Sequence, residues 1–208
     1  MPPGRTVFER TYDQLRRQIV RGPIPYGSTL NLKCLADEFG VSVSPLRDAV
    51  HRLVGEHFLM LKSQGGFYLP VPTARCILQL YAWHELLVRP AARTKPPRTH
   101  TSTIGLGPAT GEDMAQATTK VFTDLVLPFA NDERLWALQN VSERLFRVRL
   151  AEFRAIRDML SELDRLRAVA ATGSISDIRT ALAAYHRRRK RRATQISVMI
   201  LSDEIAKI

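Results

Sequence analysis

The stretch that most constrains this chain runs from Leu32 to Leu53, LKCLADEFGVSVSPLRDAVHRL. Leu32, Leu35 and Phe39 recur at helical spacing with Ala36 beside Leu35, which predicts a short amphipathic helix. Gly40 is placed to end it, because glycine enters the left-handed backbone region at little steric cost. Val41 then reads as an apolar plug, and Ser42 or Ser44 as the cap of a second helix. Pro45 fits only in that helix's first turn, where its missing N–H costs nothing. Leu46, Val50 and Leu53 make the buried stripe of the second helix, while Arg47, His51 and Arg52 point elsewhere. Two short helices joined by a tight glycine turn, the second with a polar and basic outer face, form a helix-turn-helix.

The flanking residues complete a small domain. Phe8, Tyr12, Leu15 and Ile19 predict a helix from Val7 to Arg21, after a short disordered leader over residues 1–6. The run Gly22-Pro23-Ile24-Pro25-Tyr26-Gly27 stops that helix. Gly55-Glu56-His57 closes the third. Phe58–Leu61 and Phe67–Leu69 then read as two strands around Ser63-Gln64-Gly65-Gly66, the hairpin wing of a winged helix-turn-helix. Pro70 and Pro72 mark a boundary, giving domains at 1–72 and 73–208.

Residues 73–208 predict helices alone. Ile77, Leu80, Tyr81 and Leu87 mark one that ends at Pro90. Ala91 to Gly111, with Pro96-Pro97, a threonine-rich run and Pro108, reads as a loop or disordered linker. Helical periodicity resumes from Glu112 to Phe129. Asn131-Asp132 caps the next helix, whose stripe of Leu135, Leu138, Leu145 and Val148 continues through Phe153, Ile156, Leu160, Leu163 and Leu166 to Thr172-Gly173. A last helix begins near Ser174 to Asp177 and runs into Ile200-Leu201. The expected fold class is mostly α: an N-terminal winged helix-turn-helix of three helices plus a small β-hairpin, followed by an all-helical bundle domain.

Charge points to a polyanionic partner. The net charge is +11 and the pI about 10.3, which favours nucleic acid ahead of an anionic membrane. The helix-turn-helix domain is not the most basic part: residues 1–72 hold nine Lys+Arg and six Asp+Glu, residues 73–208 hold 22 and 14. Six consecutive cations, Arg187 to Arg192, admit two readings, an added phosphate-binding patch or a solvated helix face. Six in a row cover every side of a helix, so some must face inward or the helix must fray. Cys34 and Cys76 each sit in an apolar helical pattern, and both are expected to be buried thiols rather than a disulfide or metal pair. With no run of ~18 apolar residues and no signal-peptide core, the expectation is a cytoplasmic protein with no membrane partner.

Residues 7–71 resemble the DNA-binding domain of the GntR family of bacterial transcription regulators. The resemblance is carried by Tyr12-Asp13-Gln14-Leu15 with Ile19-Val20-Arg21-Gly22, Pro25-Tyr26-Gly27, and Leu35-Ala36-Asp37-Glu38-Phe39-Gly40-Val41-Ser42. Ser44-Pro45-Leu46-Arg47-Asp48-Ala49-Val50 with Arg52-Leu53, and then Gly66, complete it. It implies binding of a double-stranded DNA operator. Ser42, Ser44 and Arg47 match polar contact positions, and Lys33 matches a position usually held by a phosphate-contacting Arg. His51 on the recognition helix, and Gln64, Gly65 and Gly66 at the wing tip, complete the expected contact set. Many relatives carry Arg after the residue matching Ser42, where this chain has Val43, so one contact of the common pattern is missing.

The remainder is similar to the all-helical FCD effector domain that follows many such winged helices. Leu80-Tyr81 with Pro90-Ala91-Ala92, Asn131 with Leu135, and Ala168, Ala170-Ala171, Gly173 and Ala181 to His186 carry this likeness. It implies a homodimer and a small carboxylate metabolite as effector, often beside a divalent metal held by an Asp and three His. Carried onto this chain, the Asp position falls at Thr118 and two His positions at Phe122 and Leu163; only His186 remains, with Tyr185 as a one-residue alternative. One His cannot hold a metal, so neither metal nor cofactor is expected. His57, His84 and His100 stand alone, no nucleophile–base pair is visible, and no enzymatic activity is expected. Trp83, Trp136 and Tyr81 read as core aromatics rather than a pocket lining. The expected function is a homodimeric regulator binding a palindromic operator under effector control; the alternative is an effector-independent architectural DNA-binding protein with a decayed ligand site.

Overall fold

The structure, a computed structural model, describes residues 5–93, 110–172 and 174–206. It divides into two compact units, one running to Val71 and taking in the chain from Glu204 onward, the other from Pro72 to Asp203.

In the first unit, α1 spans Val7–Arg21. The Thr6 hydroxyl accepts from the Glu9 N–H and the Glu9 carboxylate accepts from the Thr6 N–H, a capping box that fixes the helix start. Arg5 pairs with Asp13 at 2.7 Å, so Arg5 and Thr6 of the expected leader belong to the folded domain; residues 1–4 lie outside the described residues. Helix α2 (Leu32–Phe39) starts on Asn31, whose side chain accepts from the Lys33 and Cys34 N–H groups, and ends at Gly40 with φ 64° and ψ 35°. Helix α3 spans Val43–Gly55. Ser42 occupies its N-cap position yet its hydroxyl makes no capping bond, and Ser44 lies inside the helix, so the expected serine cap is not formed. Leu46, Ala49, Val50 and Leu53 are fully buried, α3 packs against α1, and Leu15 and Ile19 of α1 are buried as well.

Strands β1 (Met60–Leu61) and β2 (Phe67–Tyr68) pair antiparallel, with Met60 opposite Tyr68 and Leu61 opposite Phe67. Thr29 bridges Tyr68 on the other side, and the Leu30 N–H donates to the Phe67 carbonyl at 2.8 Å. Phe58, Leu59, Phe67 and Leu69 therefore close the core beneath the hairpin.

A buried carboxylate ties this unit together. Glu56, 8% exposed, accepts from the Tyr12 hydroxyl at 2.6 Å and pairs with Arg16 at 3.0 Å and Arg52 at 3.0 Å. The Arg52 guanidinium lies 4.1 Å from the centre of the Tyr12 ring. One carboxylate thus joins the middle of α1 to the end of α3.

In the second unit, α4 spans Ala74–Val88 and passes through a 3-10 turn at Arg89–Ala92, so the helix proper stops just before Pro90. Helix α5 (Gly111–Val126) opens on a Thr110–Asp113 capping box and ends in a 3-10 turn at Leu127–Phe129. The expected linker over Ala91 to Gly111 lies mostly outside the described residues; Ala91 itself is buried and Gly111 opens α5. The stripe expected to run unbroken from Asn131 to Thr172 is instead three helices, α6 (Asp132–Arg144), α7 (Phe146–Ala155) and α8 (Met159–Thr172). A single helix of that length would reach about 60 Å at ~1.5 Å per residue, too long to keep one face on a compact core. The chain breaks at Leu145, which is fully buried, and between Ile156, which is extended, and Asp158, at φ 63°. Helix α9 spans Ile175–Ile205. Helix α5 packs against α7, α8, α6 and α4, placing Phe122 and Val121 at the centre.

Expectations about four side chains are corrected. Cys34 is exposed, because on α2 it sits two residues from buried Ala36 and so on the opposite face; Cys76 is half-buried. Trp83 and Trp136 are 47% and 53% exposed, on the outer faces of α4 and α6, and of the three aromatics only Tyr81 is core.

Two measurements probe the Glu56 cluster. Glu56→Ala leaves two cations and a phenol without their acceptor, and a loss of about 3–5 kcal/mol is expected in denaturant unfolding. The Tyr12 phenol is raised to about 12, first by burial and then by its bond to Glu56. A group raised in this way gives stability that is complete below about pH 10 and is lost as pH climbs through about 12. Wild type should therefore lose about 2–3 kcal/mol relative to Tyr12→Phe across that window.

Candidate nucleic-acid interface and interior of the helical unit

The outer face of α3 starts from Ser42 and Ser44 and continues through Arg47 and His51, all exposed. Helix geometry puts Ser44, Arg47 and His51 on one side, at steps of three and four. The Ser42 hydroxyl, unused as a cap, stays available at the helix start. Arg47 makes no hydrogen bond or ion pair among the described residues, whereas the next arginine on the helix, Arg52, is held by Glu56. His51 packs edge-on against Phe67, ring centres 5.1 Å apart, which joins the recognition face to the wing.

Lys33 is exposed in the first turn of α2. A cation there opposes the helix dipole, and neither α2 nor α3 carries an acidic residue in its first turn, while α1 has Glu9. Both helix starts are left electropositive. The wing turn is closed by the Lys62 N–H donating to the Gly66 carbonyl at 2.9 Å and the Gly65 N–H to the Lys62 carbonyl at 3.0 Å. Gly65 and Gly66 have φ of 85° and 90°, a region that strains any other L-residue. A side chain on Gly65 would meet no atom within 4 Å, so its absence leaves the wing tip thin, with Gln64 exposed beside it. Lys62 is turned back: its Nζ donates to the Thr29 hydroxyl at 2.5 Å.

The basic run on α9 divides into structural and free charges. Arg189 is 1% exposed and pairs with Glu152 at 3.2 Å and Glu162 at 2.7 Å, with its guanidinium carbon 3.4 Å from the Tyr185 ring centre. Arg188 donates to the Arg157 carbonyl, Lys190 pairs with Glu85 at 2.7 Å, and Arg192 donates to the Ala155 carbonyl. Only Arg187 and Arg191 are exposed without a partner among the described residues. The helix does not fray; it turns one cation inward and fastens three more to neighbouring elements. The patch reading keeps two free charges of six.

Beside Arg189 lies a polar centre that sequence reasoning missed. His84 was expected to stand alone; instead its Nδ1 is 2.9 Å from Nε2 of His186, and both rings are fully buried. Burial holds His84 well below the usual imidazole range, with the Arg149 charge adding to it, and lowers His186 to about 4. Arg149 is also fully buried and donates to the Thr119 hydroxyl at 2.6 Å. Glu152 accepts from the Tyr81 hydroxyl, and burial raises its carboxyl against the pull of Arg189. Burial works against the Arg189 charge too, yet Tyr185, Glu152, Tyr81 and Glu162 together hold its pKa above the ordinary arginine value. One signal did exist: Arg149 and Glu152 fall in register with Leu145, Val148 and Ile156, the buried face of that segment. Of the positions carried over from the resemblance, Thr118, Phe122, Leu163 and Tyr185 are buried here with His186. Among the described residues, no group of three or more His, Cys, Asp or Glu is arranged to hold a metal ion.

Residues 8–69 match the family described as bacterial regulatory proteins, gntR family. An uncharacterised HTH-type transcriptional regulator of Bacillus subtilis strain 168, YdhC, is 34% identical over 70 residues, 34% of this chain and 31% of that protein. The Nta operon transcriptional regulator of Aminobacter aminovorans is 28% identical over 130 residues, 57% of this chain and 62% of that protein. The chain thus matches less than two thirds of either relative's length. Among solved structures, a GntR-type transcriptional regulator of Rhodococcus sp. RHA1 aligns with TM-score 0.69 at 18% identity, covering 89% of this chain and 96% of that one. E. coli McbR/YncC aligns with TM-score 0.65 at 18% identity, covering 92% and 98%. These structures share the two-part fold, a winged helix-turn-helix followed by a helical domain.

The division of the α9 charges has a direct test. Arg187→Ala and Arg191→Ala should each leave unfolding free energy within about 0.5 kcal/mol of wild type. Arg189→Ala, which strands Glu152 in the core, should cost about 3–5 kcal/mol in the same measurement.

Proposed function

We infer, from an N-terminal winged helix-turn-helix of the gntR family of bacterial regulatory proteins, that this chain is a transcription regulator that binds operator DNA. The observation that carries the reading is the contrast among the cations around α2, α3 and the wing. Arg16 and Arg52 are committed to Glu56, and Lys62 to Thr29, while Arg47 and Lys33 stand exposed beside two uncompensated helix starts. An exposed Arg on the outer face of a recognition helix suits a bidentate contact to guanine or a clamp on phosphate. Lys33 suits a phosphate, and the thin wing tip of Gln64, Gly65 and Gly66 suits close approach to the minor groove.

On this reading the protein works as a homodimer on a palindromic site, with recognition helices about 34 Å apart to match half-sites one DNA turn apart. The second unit dimerises, and a small carboxylate metabolite shifts the spacing of the recognition helices by binding one state better than another. It acts in the cytoplasm, where the DNA is, by binding and not by turnover; no described helix is long and apolar enough to cross a membrane. An architectural protein would rely on a large sequence-independent charge patch, and the fastened state of four of the six α9 cations favours the operator-binding reading over it.

The test is binding of the purified protein to its own upstream DNA across a salt series with random DNA as competitor. A competitor-resistant complex at dimer stoichiometry is expected; binding no tighter than to random DNA would sink the proposal. Arg47→Ala should weaken operator binding by about 1–3 kcal/mol, roughly five-fold to over a hundred-fold, with little change on random DNA. Lys33→Ala should weaken both alike and reduce the salt slope by about 1.

A further inference from the structure

The likeness of the second unit to a metal-bearing effector domain raises the question of what stands at its centre here. The side chains present do not suit a metal. The Thr118 hydroxyl donates to the Met114 carbonyl at 2.7 Å, Phe122 packs edge-on against His84 with ring centres 4.6 Å apart, and Leu163 offers no donor atom. Two imidazoles remain, and both are already engaged.

The hydrogen bonds determine which nitrogen of each ring carries its proton. A guanidinium only donates, and a backbone carbonyl only accepts. Arg149 Nη2 lies 3.4 Å from Nε2 of His84, so that nitrogen accepts and the proton sits on Nδ1. His84 Nδ1–H then donates across 2.9 Å to Nε2 of His186, which must be unprotonated. The proton of His186 is therefore on Nδ1, which donates to the Leu182 carbonyl at 2.7 Å. The two fixed ends, a donor and an acceptor, allow only this assignment for two neutral rings. Neither ring keeps a lone pair for a cation, and any cation entering would meet the buried Arg149 charge.

We propose that Arg149 replaces a metal ion at the centre of the helical unit, its guanidinium locking His84 and His186 into a relay that ends on the Leu182 carbonyl and binds no divalent cation. Arg149 is the positioning residue, and the positive charge there is permanent and independent of metal supply. The relay stands on the geometry of this unit alone. Only its consequence, that effector control needs no metal, rests on the regulator reading.

The experiment uses the full chain with 15N-labelled histidine and long-range proton–nitrogen correlation spectra, with Zn2+ as the probe. Both His84 and His186 should show the Nδ1–H tautomer alone, and a ten-fold excess of Zn2+ should leave their signals unmoved while exposed His51 and His57 are free to respond. Arg149→Met removes the donor to His84 Nε2 at similar side-chain length, and His84 should then exchange between tautomers. An Nε2–H tautomer in either wild-type ring, or Zn2+ shifting or broadening either one, overturns the proposal. So does a folded Arg149→Met protein whose His84 keeps the wild-type tautomer. Should that variant fail to fold, the wild-type spectra and the Zn2+ titration still decide. None of these readouts involves DNA, so a failed operator assay leaves the relay standing, and the reverse.

Discussion

A carboxylate taken out of water must find its counter-charges inside the fold, and each unit of this chain is assembled around one that does. Glu56 gathers Tyr12 and Arg16 from α1 and Arg52 from its own helix. Glu152 gathers Tyr81 from α4 and Arg189 from α9. Removing either carboxylate from water carries a penalty that only close, hydrogen-bonded cations offset, so the elements bearing those cations have little freedom to move apart. In the first unit this constraint fastens the end of α3 to the middle of α1.

The same constraint redistributes the charge of a strongly basic chain. A net charge of +11 suggests broad attraction to polyanions, yet many cations are held by neighbouring groups. Arg189 is buried, Arg188 and Arg192 donate to backbone carbonyls, and Lys190 and Arg16 meet carboxylates. Charge available to a partner is therefore much less than charge counted. In the first unit Lys33 and Arg47 are exposed near the starts of α2 and α3, where the dipoles of those helices add to their charge; Arg10 and Arg17 of α1 are exposed as well. Specific recognition benefits from this economy, since cations scattered over the surface would favour any DNA equally.

Histidines in the second unit follow a different logic. His84 and His186 are neutral because burial disfavours their charged forms, and they are paired because each ring can donate with one nitrogen and accept with the other. A buried guanidinium at one end and a carbonyl at the other give the pair a direction. A cluster that looks, residue by residue, like the remnant of a metal site is better described as a hydrogen-bonded chain with every nitrogen of both rings assigned.

The sequence by itself determined the local structure wherever a periodic apolar stripe met a strong terminator. The bounds of α1, the Gly40 turn, the buried stripe of α3, and the Gly65-Gly66 wing follow from residues close in the chain, because caps and left-handed turns are local chemistry. The exposed candidates Lys33, Ser42, Ser44, Arg47, His51 and Gln64 were legible for the same reason. What lay beyond the sequence depended on partners far along it. The stripe from Leu135 to Leu166 gives no sign of the breaks at Leu145 and Asp158, since they arise from the need to fold a long apolar face onto one core. Cys34 and the two tryptophans looked buried because periodicity names a face without saying whether anything covers it. His84 and His186 are 102 residues apart, and Arg189 is a buried cation within a run of identical charges. Burial and pairing are properties of neighbours in space, and only the tertiary structure decided which charges these residues would meet.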